Sequence, residues 1–225
     1  MEQQTQQPAE VNTAANKKPV GEVLKNYFTA TRISYMAVFT ALAFILRLPW
    51  LEFSIIPAVP FLKVDFSDVF VMIAGFSLGP VAGVTVGVLK EVIYGICFTQ
   101  TAFVGEIANI LMILPYILIP SIIYKKRKGI KVVIISLLIA CGVRTLWTIP
   151  LNYVLTFPLF LYFSFGTPWT GGMEAYLDVW YWALLFNLVK IVLVTAAVMI
   201  VYKPLSRLIN LTSEKFEKRR RKTVQ

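Results

Sequence analysis

Long apolar runs separated by short polar or basic breaks set the plan of this chain. They predict six spans: Ile33 to Leu51, Asp68 to Leu78, Val81 to Phe98, Phe103 to Tyr124, Val132 to Phe160 and Trp180 to Tyr202. A helix needs roughly 20 apolar residues to cross about 30 Å of hydrocarbon, and most of these runs supply them. The second run is short, and Gly79-Pro80 separates it from the third. It crosses fully only if Phe61 to Ser67 is also helical or if it tilts little; the alternative is that the second and third runs form a re-entrant pair. The predicted outer segments are Glu52 to Ser67, Thr99 to Ala102 and Leu161 to Val179. The last belongs to the aromatic stretch "LYFSFGTPWTGGMEAYLDVWYW". Its residue types fit an interfacial belt, or a lid over a planar ligand.

Composition excludes a soluble domain. Of 225 residues, 57% are hydrophobic and 15% charged, and the mean hydropathy is +0.70. A water-soluble fold of this size cannot hide so much apolar surface. The net charge of +10 raises nucleic acid as a partner, but the placement of the cations excludes it. They lie between spans: Lys17, Lys18, Lys25 and Arg32; then "KKRKGIK"; then Lys203, Arg207 and "EKFEKRRRK". Basic segments beside membrane spans mark the cytoplasmic face. Six crossings put all three clusters on that face.

The predicted fold is therefore all-α: six transmembrane helices in a compact membrane bundle, with N- and C-termini cytoplasmic. Residues 1–28 read as a disordered cytoplasmic tail, 29–205 as the bundle, and 206–225 as a basic cytoplasmic tail. The expected location is the cell membrane, with the lipid bilayer as a partner.

Candidate chemistry comes from polar groups inside the spans, where each is costly and faces the protein interior or a water-filled cavity. Lys90, Glu91, Glu106, Arg144 and Lys190 are the charged ones, joined by Asn109, Asn152 and Asn187. Asn187 and Lys190 are three apart and share a helix face. Asn152 follows Pro150, which frees a carbonyl and bends the helix. These three suit a pocket wall opening outward; helix-to-helix hydrogen bonding is the plainer alternative. Glu106 reads as the partner of Lys90 or Arg144. Gly75, Gly79, Gly83 and Gly87, and Ala37 with Ala41, recur every four residues, a spacing that lets helices approach closely.

Other chemistries find no support. Histidine is absent and Cys97 and Cys141 lack ligand spacing, so no metal site is expected. There is no nucleophile with an orienting base, so no catalytic residue is assigned and no enzyme is expected. The phosphate-binding pattern G-x-x-x-x-G-K-[ST] does not occur, so ATP would be bound only by a partner.

Four stretches carry a resemblance: "FLKVDFSDV" (61–69), "GFSLGPVAGVTVGVLK" (75–90), "PLNYVLTFPL" (150–159) and "LFNLVK" (185–190). Over roughly Tyr35 to Tyr202 the chain resembles the substrate-binding S components of energy-coupling factor (ECF) vitamin transporters, and among them the riboflavin-specific ones. It departs from the family pattern at Phe70, where proline is frequent, and at Glu91, where asparagine is common. The resemblance implies a six-helix bundle that binds riboflavin near its outer face as transported ligand, with no cofactor of its own. It further implies partners: a transmembrane coupling subunit and two ATPase subunits. Carried over by position, Asn152, Asn187 and Lys190 would hold the ring edge, and Ala37 with Ala41 would dock on the coupling subunit. Residue physics alone leaves open another vitamin, a flat heterocycle, a flavin nucleotide or a stand-alone permease.

The charges of "FLKVDFSDVF" are expected to mark the outer water boundary, with topology alone accounting for Lys63 and Asp65. Asp68 would favour the positive end of the second helix, and Ser67 or Asp65 would cap it. The stretch then reads as a hinge between a lid loop and that helix rather than as part of the site.

Overall fold

The computed structural model describes residues 27–57 and 62–224. The tail expected over residues 1–28 lies almost wholly outside them, as does Phe61. Helices occupy all six predicted runs: α1 (Ala30–Leu46), α2 (Asp68–Leu78), α3 (Pro80–Phe98), α4 (Val104–Lys126), α5 (Ile130–Leu151) and, after a π turn over Asn152–Thr156, α6 (Phe157–Phe165) and α7 (Trp169–Val224). Among the described residues, four helical stretches are long and apolar enough to cross a membrane: Pro80–Phe98, Val104–Lys126, Ile130–Phe165 and Trp169–Arg207. α1 and α2, with 17 and 11 residues, are shorter. The chain is thus a helical, multi-pass membrane protein.

Two expectations need correction. The long outer loop over 161–179 is largely helix, and only Gly166, Thr167 and Pro168 separate α6 from α7. Aromatic and helix-tolerant residues continue α6 until Gly166, at φ +68°, takes the left-handed conformation that ends it. The basic segment over 206–224 continues the last helix. α7 runs on through Pro204, and Ile209, Thr212 and Phe216 are buried. Nor is the fold purely helical, because β1 (Phe53–Ser54) and β2 (Lys63–Val64) pair antiparallel in a small ribbon, Phe53 opposite Val64.

The four spaced glycines divide into two roles. Gly79 makes the turn between α2 and α3 at φ +100°, a conformation open to glycine. Gly75, Gly83 and Gly87 make contact surfaces. A Cβ on Gly83 would lie 2.8 Å from Ile117 Cγ2 and 2.9 Å from Gly75 Cα, so α2, α3 and α4 close on one another here.

α2 explains the charges before it. Eleven residues rise only about 16 Å, half of a bilayer's hydrocarbon. The chain before it descends into the bundle as non-helical backbone, with Val64, Asp65 and Ser67 buried. Irregular backbone at such depth survives only inside protein or along a polar cavity, and charged side chains supply that polar surrounding.

Candidate functional site

A cavity of about 190 Å³ lies at the ribbon end of the bundle. Its wall includes Asn152, Asn187 and Lys190, brought together from the π turn and α7. Pro150 lacks the N–H that would continue the α ladder. The turn that follows is wound wider, with the Phe157 N–H donating to the Asn152 carbonyl, and such turns re-aim side chains. Asn152 is 1% exposed, and its Oδ1 has no hydrogen-bond partner among the described residues. Asn187 Nδ2 donates to the Ala183 carbonyl at 2.8 Å, which leaves its oxygen for the cavity. Phe160 and Phe186 add apolar surface, and Asn109 a further amide. The result is a concave site with apolar walls and a few convergent polar groups, the usual form of a small-molecule site.

Sequence reasoning missed the other half of this wall. Arg47, Glu52, Lys63, Tyr94 and Gln100 also line the cavity. A chain of ion pairs runs behind it. Lys63 Nζ lies 3.3 Å from Glu52 Oε1, and Tyr94 Oη donates to the same oxygen at 2.8 Å. Arg47 Nη1 is 3.7 Å from Glu52 Oε2 and 2.8 Å from Asp65 Oδ2, while Nη2 is 3.4 Å from Glu91 Oε2. Lys190 Nζ donates to Asp65 Oδ2 at 3.0 Å. Lys90 bridges Glu91 and Asp68, and Arg144 Nη1 reaches Asp68 Oδ2 at 3.3 Å.

This network corrects three readings. Asp65 is no boundary charge: it is 1% exposed and binds two cations. Lys90 and Arg144 pair with Asp68 rather than with Glu106, which accepts from the Thr99 and Thr101 hydroxyls at 3.2 Å each. Ser67 does not cap α2; its N–H and hydroxyl donate to Asp65 Oδ1. Pairing is what makes these depths tolerable, since an isolated buried charge is far costlier than a matched one. The missed signal was there: Lys63, Asp65 and Asp68 precede a run too short to cross alone.

Ala37 and Ala41 lie elsewhere, exposed on α1 beside the exposed Val38 and Leu42. They form a shallow, small-residue strip and take no part in the cavity.

Residues 31–202 match the family model described as "ECF transporter, substrate-specific component". The chain belongs to that family. S components are substrate-capturing transporter subunits, and this one is no member of an enzyme family. Among its relatives, the riboflavin transporter FmnP of Bacillus subtilis (strain 168) is 30% identical over 174 residues, 76% of this chain and 90% of that protein. The riboflavin transporter RibU of Staphylococcus aureus (strain TCH60) is 34% identical over 129 residues, 57% of this chain and 67% of that one. A solved structure described as the S component of a bacterial ECF transporter superposes with a TM-score of 0.65 at 28% identity, covering 80% of this S component and 97% of that chain.

Proposed function

We propose that this S component captures riboflavin from outside the cell membrane, in the cavity lined by Asn152, Asn187 and Lys190. The observation that carries the reading is their convergence: two amides and an ammonium meet apolar walls in one pocket, in a chain whose relatives are named riboflavin transporters. Isoalloxazine is planar, with one edge of hydrogen-bonding groups and one of hydrocarbon, and such a pocket complements both. α1 and α2 complete six crossings with both termini inside. At the end away from the pocket, Tyr27, Arg32, Lys125 and Phe216 line a second, smaller cavity, and basic residues at that end support a cytoplasmic face there. Ala37 and Ala41 dock a transmembrane coupling subunit, and two ATPase subunits supply the energy; this chain needs no cofactor of its own.

The test is direct. Purified protein quenches riboflavin fluorescence on binding, and riboflavin at about a thousand times its Kd stabilises the fold by about 4 kcal/mol, raising the melting temperature. A chain that melts unchanged with riboflavin but rises with another flat heterocycle would replace the ligand and keep the pocket. Uptake in cells lacking the coupling subunit and ATPases would refute the need for partners.

A further inference from the structure

Lys190 does not meet the cavity as a free cation. Its ammonium donates to Asp65 Oδ2, 125 residues away in sequence, with both side chains at most 5% exposed. The same oxygen accepts from Arg47 Nη1, and Oδ1 is held by Ser67. Asp65 is thus fixed on both oxygens, and it fixes Lys190 in turn. It also sits one residue beyond β2 (Lys63–Val64), the strand that pairs with β1 in the ribbon, so one carboxylate joins the ribbon to a wall of the pocket.

The other cations on the wall are matched likewise: Arg47 with Asp65, Glu52 and Glu91, and Lys63 with Glu52. An ammonium whose charge is cancelled still offers its remaining N–H groups, but it does not select an anion.

We propose that Asp65 is a positioning residue for the ligand: it orients Lys190 and cancels its charge, so that the pocket reads an uncharged hydrogen-bonding edge. The inference rests on the riboflavin reading above. It makes Asp65, which touches Lys190 rather than the ligand, a determinant of affinity that acts through that lysine.

A double-mutant cycle separates this role from a merely structural one, because residues acting through one another are not additive. Riboflavin affinity is measured by fluorescence quenching for the purified full chain and for Asp65→Asn, Lys190→Gln and the double variant. Each single change is expected to weaken binding roughly tenfold. The double variant should match Lys190→Gln within about threefold, since Asp65 has nothing left to position. A double variant weakened by the product of the two, or Asp65→Asn within about twofold of the parent, overturns the proposal. If Asp65→Asn does not fold, the double variant against Lys190→Gln decides, because it removes both ends of the pair; a further fall of about tenfold overturns the proposal there too. The charge cancellation has its own signature: the visible band of bound flavin shifts in Asp65→Asn, where the ammonium is uncancelled, and not in the double variant. A parent chain that binds no riboflavin refutes the reading beneath, and shows it before any variant is compared.

Discussion

Replacing Asn152 by leucine should move stability and binding in opposite directions. Asn152 is 1% exposed, and its Oδ1 has no partner among the described residues. A buried acceptor left unpaired costs about 1–3 kcal/mol. Leucine is close to asparagine in size and carries no such acceptor, so the ligand-free variant should gain part of that sum. At roughly 2–4 °C per kcal/mol for a chain of this length, the melting temperature should rise by about 2–10 °C. Binding loses the group that would satisfy a donor on the ligand, again about 1–3 kcal/mol, or a Kd weaker by about 5- to 150-fold. Scanning fluorimetry without ligand and flavin quenching with it measure the two terms on one sample. A variant that melts lower than the parent and binds as tightly would refute the assignment, since Asn152 would then be a structural amide. A polar group kept at a cost to stability is the usual mark of a site.

Two further outcomes follow from the geometry. Asp68→Asn leaves Lys90 and Arg144 without a shared carboxylate and should destabilise the fold by about 3–5 kcal/mol, whereas Lys90→Met, which leaves Asp68 with Arg144, should cost less; thermal melts of both give the order, and the reverse order would refute it. Gly83→Val should lower the melting temperature or abolish the folded fraction, because a Cβ there already meets Ile117 and the Gly75 backbone and overpacking costs about 1–3 kcal/mol or more; an unchanged melt would mean that α3 and α4 part easily.

Hydropathy, by itself, determined that this is a helical membrane protein and where most of its helices lie, because burial in lipid depends on local runs that add residue by residue. It placed Asn187 and Lys190 on one face, since a spacing of three is fixed by the helix itself. It also marked Pro150 as a disturbance beside Asn152. Only the tertiary structure decided which charges meet. Lys190 could pair with any carboxylate at its depth; the descent of residues 62–67 into the bundle, forced by an α2 only eleven residues long, brought Asp65 to it. Lys90 and Arg144 found Asp68 rather than Glu106 for the same reason: partners across a bundle are chosen by how helices close, and sequence separation carries no record of that closure. The stretch "FLKVDFSDVF" reads from sequence as a boundary, and the fold makes its Asp65 and Asp68 the hubs to which Arg47, Lys90, Arg144 and Lys190 are tied.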